Sequence, residues 1–315
     1  MSSSHTTTPG FAAAEIGRVS PATAAERADL VVVVPAFDEA SGVGLTIEGV
    51  REALAATGRA FSIVVVDDGS TDGTGDEARR HGADVITLPE NRGYGAALKA
   101  GIVATSADLV AIIDADGTYP PAAVPALAEL TASADMVVGA RASDDRSIPT
   151  IRRPAKWIIA RLAEYLAERK IPDINSGLRV MRRSALEPFL SILPDGFSFT
   201  TTITLAMMCN GYRVVYEPVQ CTERVGTSKI RPRHFMNFVM LVLRTVVLFN
   251  PLRVFLPLGM ALFLVGLGKF VYDVTLWNLS ETAVMGFLSA IVVWSVGLLA
   301  DLIARLQLRP PRPPS

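Results

Sequence analysis

Short apolar runs at Leu30–Val34, Ile63–Val66, Val85–Leu88, Leu109–Ile113 and Met136–Val138 are each closed by proline, glycine or acidic residues. Such runs, apolar at successive positions, predict buried strands of a parallel sheet. The stretches between them have helical spacing. Val43, Ile47, Val50 and Leu54 fall three and four apart on one face, and Ser41 is the expected cap of that helix. Alternating strand and helix predicts an α/β domain with a largely parallel sheet and right-handed crossovers. Ligands of such sheets bind outside the carboxyl ends of the strands, so the residues that close each run are the first candidates for chemistry.

The run Leu109–Ile113 is closed by Asp114-Ala115-Asp116. Two carboxylates spaced i, i+2 at a strand end can project together into a cleft, and hard oxygen donors of this kind suit Mg²⁺ or Mn²⁺ bridging to phosphates. A solvated turn would carry the same residues. Three other strand ends add to the pattern: Pro35-Ala-Phe-Asp-Glu39, Asp67-Asp-Gly-Ser-Thr-Asp-Gly-Thr74, and the helix opening Asn91-Arg-Gly-Tyr-Gly-Ala96. The glycines of the last would let backbone approach a ligand closely and turn amide N–H groups towards an anion. A dinucleotide-binding dehydrogenase would place its glycine fingerprint after the first strand, where this chain has Pro35 to Glu39.

Taken in this order, the motifs resemble glycosyltransferase family 2, and within it the polyprenyl-phosphate sugar synthases of the dolichol-phosphate mannose synthase-like group. The resemblance covers roughly Val31 to Ile230. It implies an A-type glycosyltransferase fold, Rossmann-like with a mostly parallel sheet. It also implies metal-dependent, inverting transfer of a hexose from a UDP- or GDP-linked nucleotide sugar to a polyprenyl phosphate. Asp114 and Asp116 would hold Mg²⁺ or Mn²⁺; Thr118 stands where many relatives carry a glutamine ligand, so water would complete the coordination. Donor contacts would come from Pro35, Phe37, Glu39, Asp67, Asp68, Gly93, Lys99 and Asp114 to Asp116.

The segment Asp173-Ile-Asn-Ser-Gly-Leu-Arg179 resembles the family's Asp-x-x-Ser-Gly-Phe-Arg segment, with Leu178 in place of the aromatic residue. The resemblance gives Asp173 the task of orienting or deprotonating the acceptor phosphate, and Arg179, with Ser176 and Arg141, that of holding an anion. An Asp–Arg pair bracing a turn is the competing reading. Arg224 to His234 forms a basic stretch in which the resemblance sets Arg224 and Lys229 near the phosphates; a solvated loop is the alternative. An acceptor phosphate oxygen is already a competent nucleophile, so positioning and charge neutralisation are the main demands on the protein.

Composition then changes the picture at the carboxyl end. The chain of 315 residues is 50% hydrophobic, with mean hydropathy +0.36, which is rich for a soluble enzyme. Its formal charge of −1 argues against a general nucleic-acid binder. Cys209 and Cys221 are the only cysteines, so no disulfide framework is expected. Ile151–Arg169 reads as an amphipathic packing helix, and Phe235–Phe249 as a helix lying in a membrane interface, with His234, Asn237 and Arg244 on its polar side. Val254–Trp277 and Thr282–Ala300 read as membrane spans, the second reaching about 28 Å at about 1.5 Å per residue. Buried globular helices are the alternative. Lys269 and Asp273, four apart, could pair on the first span.

The expected layout is a disordered tail over 1–28, a catalytic domain over 29–230, a juxtamembrane helix over 231–250, a transmembrane hairpin over 251–308 and a Pro-rich tail over 309–315. Arg244 and Arg253 precede the first span, Arg305, Arg309 and Arg312 follow the second, and the connection has no cation. Both termini and the catalytic domain are therefore expected on the cytoplasmic face. The expected partners are the donor, the polyprenyl phosphate and the bilayer, and a homo-oligomer is compatible with the chain. Two other functions fit less well: a glycosyltransferase with a glycan or glycolipid acceptor, and a non-catalytic nucleotide-sugar-binding scaffold.

Overall fold

The computed structural model describes residues 28–141, 170–221, 247, 250–277 and 280–307. Ile151–Arg169 and the basic stretch after Cys221 lie outside them, as does the interfacial segment apart from Val247. The chain divides into two compact units. Of the described residues, the first holds 28–141, 175–199 and 215–221, and the second the remainder.

The first unit is built on a seven-stranded sheet of order β3-β2-β1-β4-β6-β5-β7. Its strands are β1 (Leu30–Ala36), β2 (Phe61–Asp67), β3 (Asp84–Thr87), β4 (Leu109–Ile112), β5 (Met136–Arg141), β6 (Arg179–Arg182) and β7 (Val214–Val219). The first four pair in parallel, Val33 opposite both Val64 and Ile112. β6 runs antiparallel between β4 and β5. The sheet is mixed and mostly parallel, as expected of this fold class.

Strand alternation sorts the side chains to two faces. Leu30, Val32, Val34, Ile63 and Val65 form one core with Ile47, Val50 and Leu54 of α1 (Val43–Ala55) and Leu127 of α4 (Val124–Leu130). Val33 and Val66, on the opposite face, meet α3 (Tyr94–Val103) so closely that a β-carbon on Gly101 would lie 2.6 Å from Val33 Cγ1. Ser41 does not cap α1. The N-cap is Gly42, and the Glu39 carbonyl accepts from the N–H groups of Gly42 and Val43. α2 (Thr74–Arg80) follows β2, and α5 (Arg183–Leu186) follows β6.

Two consecutive arginines tie β6 to the helices. Arg182 donates to the carbonyls of Thr131 and Ala134 at the end of α4, and Arg183 to those of Ile102 and Ala107 at the end of α3. Cations at helix C-termini meet the negative end of the helix dipole while satisfying otherwise orphaned carbonyls.

The second unit contains α6 (Phe199–Cys209), all but its first residue, and the long helices α7 (Leu252–Thr275) and α8 (Glu281–Gln307). α7 and α8 are long and apolar enough to cross a membrane, and most of their side chains are exposed. They pack as a hairpin through small residues: Gly266 faces Gly286, Gly259 lies under Trp294, and Gly297 under Phe255. At the closed end the buried Asp273 carboxylate accepts from Lys269, from the Ser280 N–H at 3.1 Å and from the Ser280 hydroxyl. Lys269 and Asp273 do pair, as their spacing allowed.

Candidate active site

The carboxyl end of β4 carries the acidic pair. Asp114 Oδ1 accepts from the Tyr94 hydroxyl at 2.9 Å, and its Oδ2 lies against Gly177, where a β-carbon would come within 2.1 Å. Burial pushes the Asp114 carboxyl up to about 6, while the Tyr94 hydrogen bond and the Arg179 and Arg141 charges pull it down and Asp116 pushes it further up. Burial and the Asp114 charge hold the Tyr94 phenol well above its usual range, so Tyr94 stays a donor. Asp116 is turned differently: its Oδ1 accepts from the Thr118 N–H at 3.0 Å, closing a turn through Gly117 at φ +69. Ala115 points inwards, and its carbonyl accepts from the Thr46 hydroxyl.

Ahead of this pair, the loops after β1 and β2 are laced together. Asp38 N–H donates to the Ser70 hydroxyl, Thr71 N–H to Asp38, Glu39 N–H to the Thr74 hydroxyl and Ala40 N–H to Asp72. Pro35 is a β1 residue opposite Val66, whereas Phe37 is half-exposed at the tip. Asp67 and Asp68 are both buried. Asp67 Oδ1 accepts from the Ser70 N–H; Asp68 accepts from the Arg92 and Gly93 N–H groups, both at 2.8 Å, one to each oxygen. Asp68 thus clamps the loop ahead of α3.

The glycines of that loop serve a different approach from the one expected. The backbone that comes close is the chain's own segment Pro194–Gly196: a β-carbon on Gly93 would lie 2.7 Å from the Asp195 carbonyl, and one on Gly95 2.1 Å from the Pro194 carbonyl. Ala96 N–H donates to the Asp195 carbonyl, and Lys99 both donates to the Leu193 carbonyl at 3.1 Å and pairs with the Asp195 carboxylate. Lys99 therefore fastens this segment.

Residues of the Ser-Gly-Leu-Arg turn are inward-facing. The Ser176 hydroxyl donates to the Gly139 carbonyl at 2.6 Å, and the Tyr119 hydroxyl accepts from the Gly177 N–H at 2.8 Å. Arg179 is fully buried and donates twice to the Ser176 carbonyl, the nearer at 2.6 Å. Its guanidinium braces the turn, while its charge still reaches Asp114. Arg141, at the end of β5, is exposed and acts on Asp114 and Tyr119. Asp173 is half-buried and belongs to the second unit. Arg224 and Lys229 lie outside the described residues. Tyr94 and Gly177 were not singled out beforehand, although both sit inside the motifs that were; Tyr119 and Phe197 stand outside every motif.

Among the described residues no group of three or more His, Cys, Asp or Glu is poised for a metal. Asp114 and Asp116 offer a pair of hard oxygen donors, which fits a hydrated Mg²⁺ or Mn²⁺ shared with phosphate oxygens better than a site built from protein alone.

The glycosyl transferase family 2 model matches residues 31–190, and the GtrB C-terminal hairpin model matches residues 250–306. A dolichyl-phosphate hexose transferase of Haloferax volcanii is 32% identical over 206 residues, covering 65% of this chain and 87% of its own. An undecaprenyl-phosphate mannosyltransferase of Micrococcus luteus is 28% identical, with coverage of 64% and 87%. An undecaprenyl-phosphate 4-deoxy-4-formamido-L-arabinose transferase of Pseudomonas paraeruginosa is 33% identical over 261 residues, with coverage of 76% and 71%. Among solved structures, glucosyl-3-phosphoglycerate synthase of Mycobacterium tuberculosis in complex with Mn²⁺, UDP and phosphoglyceric acid superposes with TM-score 0.55 at 21% identity, over 70% of this chain and 79% of that one. That likeness shows the A-type glycosyltransferase fold. With the acidic pair at the end of β4, the matched catalytic region and the apolar hairpin, the chain belongs to glycosyltransferase family 2 and is a glycosyltransferase.

Proposed function

We propose that the protein transfers a hexose from a nucleotide sugar to a polyprenyl phosphate, with inversion at the anomeric carbon. The observation that carries this reading is the pairing of Asp114 and Asp116 at a strand end with an apolar hairpin, in a chain whose relatives are named dolichyl-phosphate and undecaprenyl-phosphate transferases. A polar donor and an apolar acceptor call for a catalytic region and a membrane-spanning segment in one chain.

Asp114 and Asp116 would hold Mg²⁺ or Mn²⁺, and the cation would neutralise charge on the departing nucleoside diphosphate. The solved neighbour with Mn²⁺ and UDP supports that choice. Tyr94 and Gly177 fix the Asp114 carboxylate in one orientation, so little reorganisation is left for the reaction itself. The laced loops over 37–40 and 67–74 would receive the nucleoside, with Asp67 and Asp68 setting their shape, and Arg141 would meet phosphate. Asp173 would orient the acceptor phosphate, and Arg224 and Lys229 would add cations beside it. The hairpin would span the membrane with both ends on the cytoplasmic side, following the placement of Arg253 before it and Arg305 after it.

The test is a panel of UDP- and GDP-sugars incubated with the full-length protein in detergent, a polyprenyl phosphate and Mg²⁺ or Mn²⁺, with lipid-linked sugar read by mass. Product that requires the cation is the expected result. Transfer to a soluble glycan but to no polyprenyl phosphate would overturn the acceptor assignment.

A further inference from the structure

Phe197 is 86% exposed, yet it is held in place. Its ring stacks on Tyr94 with centroids 5.7 Å apart and planes 17° from parallel, and the Tyr94 hydroxyl is bonded to Asp114. The segment leading to it is fixed on α3 by the Ala96 N–H, by Lys99 and by the two glycines whose missing side chains make room for it. The two rings meet at an offset, so Phe197 keeps most of its surface open to solvent near the Tyr94–Asp114 pair, at little remaining entropic cost on binding.

We propose that Phe197 is the apolar platform for the first isoprene units of the acceptor, the hydrocarbon adjoining the phosphate that attacks. This inference rests on the polyprenyl-phosphate reading above. The choice follows from the chemistry of the reactants. The nucleoside diphosphate, the sugar and the acceptor phosphate are polar or charged, and the groups around Asp114 that could meet them are carboxylates, hydroxyls and guanidinium. Sugar and base rings can stack on an aromatic face as well, but they carry polar edges that the groups around Asp114 match. The lipid chain is the one reactant whose whole contact surface is apolar, and its phosphate must come to the sugar bound at Asp114 and Asp116. The first isoprene units would then lie against a ring stacked on the Tyr94 that holds Asp114. Packing apolar atoms against it removes area from water on both partners.

The experiment uses full-length Phe197→Ala and Phe197→Leu in detergent, with farnesyl phosphate and with a short, hydrophilic alkyl phosphate as acceptors. Phe197→Ala is expected to raise the KM for farnesyl phosphate about tenfold, as loss of a partly buried apolar contact implies. The KM for the hydrophilic phosphate, the KM for the donor and the melting temperature should stay as in the wild type, and Phe197→Leu should recover most of the farnesyl affinity. A rise in donor KM with acceptor KM unchanged would assign the ring to the sugar and overturn the proposal, as would unchanged kinetics throughout. Wild-type turnover on farnesyl phosphate separately checks the underlying reading, because a wild type that uses it while Phe197→Ala is unaltered refutes only the role of Phe197.

Discussion

A β-carbon on Gly177 would lie 2.1 Å from Oδ2 of Asp114, so the turn before β6 and the end of β4 fit together through an absent side chain. The carboxylate is caught between that glycine and the Tyr94 hydroxyl. Orientation of Asp114 is therefore set from two sides, by residues distant in the chain.

Gly177→Ala should displace the carboxylate without removing it. The three atoms nearest that β-carbon all belong to the Asp114 carboxylate, so it is the carboxylate that must give way. We expect transfer to fall by about two orders of magnitude, the range seen when a catalytic group is misplaced by an ångström. Stabilisation of the protein by Mg²⁺ or Mn²⁺ should weaken with it. Wild-type turnover in this variant would show that Asp114 need not be held where it is.

Asp114→Asn separates charge from shape. The folded-state carboxyl is raised to about 6 against an ordinary value of 3.8, so its contribution to stability is fully present below about 4 and is lost as pH rises through about 6. The neutral amide avoids that loss. With chelator present, Asp114→Asn should melt at a higher temperature than the wild type at pH 7.5, the gap should close towards pH 4, and catalysis should be abolished. Asp116→Ala should also abolish transfer. An apo Asp114→Asn protein that is less stable at pH 7.5 would contradict the buried-charge account.

Asp68 is predicted to act through the loop it clamps. Asp68→Ala strips both partners from the Arg92 and Gly93 N–H groups, an expected cost of about 1–3 kcal/mol in stability. Nucleotide affinity should fall together with melting temperature, whereas Asp173→Ala should leave nucleotide binding near the wild-type value and slow transfer. Calorimetric titration with UDP and GDP checks both; loss of nucleotide affinity with an unchanged melting curve would mean that Asp68 contacts the nucleotide directly.

The parts of this molecule that were readable beforehand are those fixed by local pattern. Five apolar runs marked β1 to β5, because a strand buried on both faces leaves no polar position in its middle; β3, only partly buried, was marked by its short apolar run alone. β6 escaped because Arg179-Val-Met-Arg182 begins and ends with cations, and their burial or tethering depends on the carbonyls of Ser176 and, at the end of α4, Thr131. Motif spacing located the acidic pair but could not tell a glycine that admits a ligand from one that admits the chain's own backbone. Gly93 and Gly95 prove to be of the second kind. Nor could it separate Arg179, which is fully buried and braces the turn, from the exposed Arg141. Such distinctions are set by tertiary contacts.

The hairpin supplies the last prediction. A β-carbon on Gly286 would sit 2.7 Å from Gly266 Cα, and one on Gly266 3.2 Å from the Gly286 backbone, so α7 and α8 touch main chain to main chain there. Between apolar helices in a bilayer, close packing of this kind is a principal source of association, because lipid offers no hydrophobic penalty for separation. Gly286→Leu should force the helices apart at a cost on the order of 1–3 kcal/mol. Gly268, also on α7, has nothing within 4 Å of the position its β-carbon would take, so Gly268→Leu is the matched control for added bulk. Thermal unfolding of the full-length protein in detergent should show a lowered midpoint for Gly286→Leu and an unchanged or raised one for Gly268→Leu, since leucine has the better helix propensity. Equal behaviour of the two variants would show that the Gly266–Gly286 contact does not hold the hairpin together.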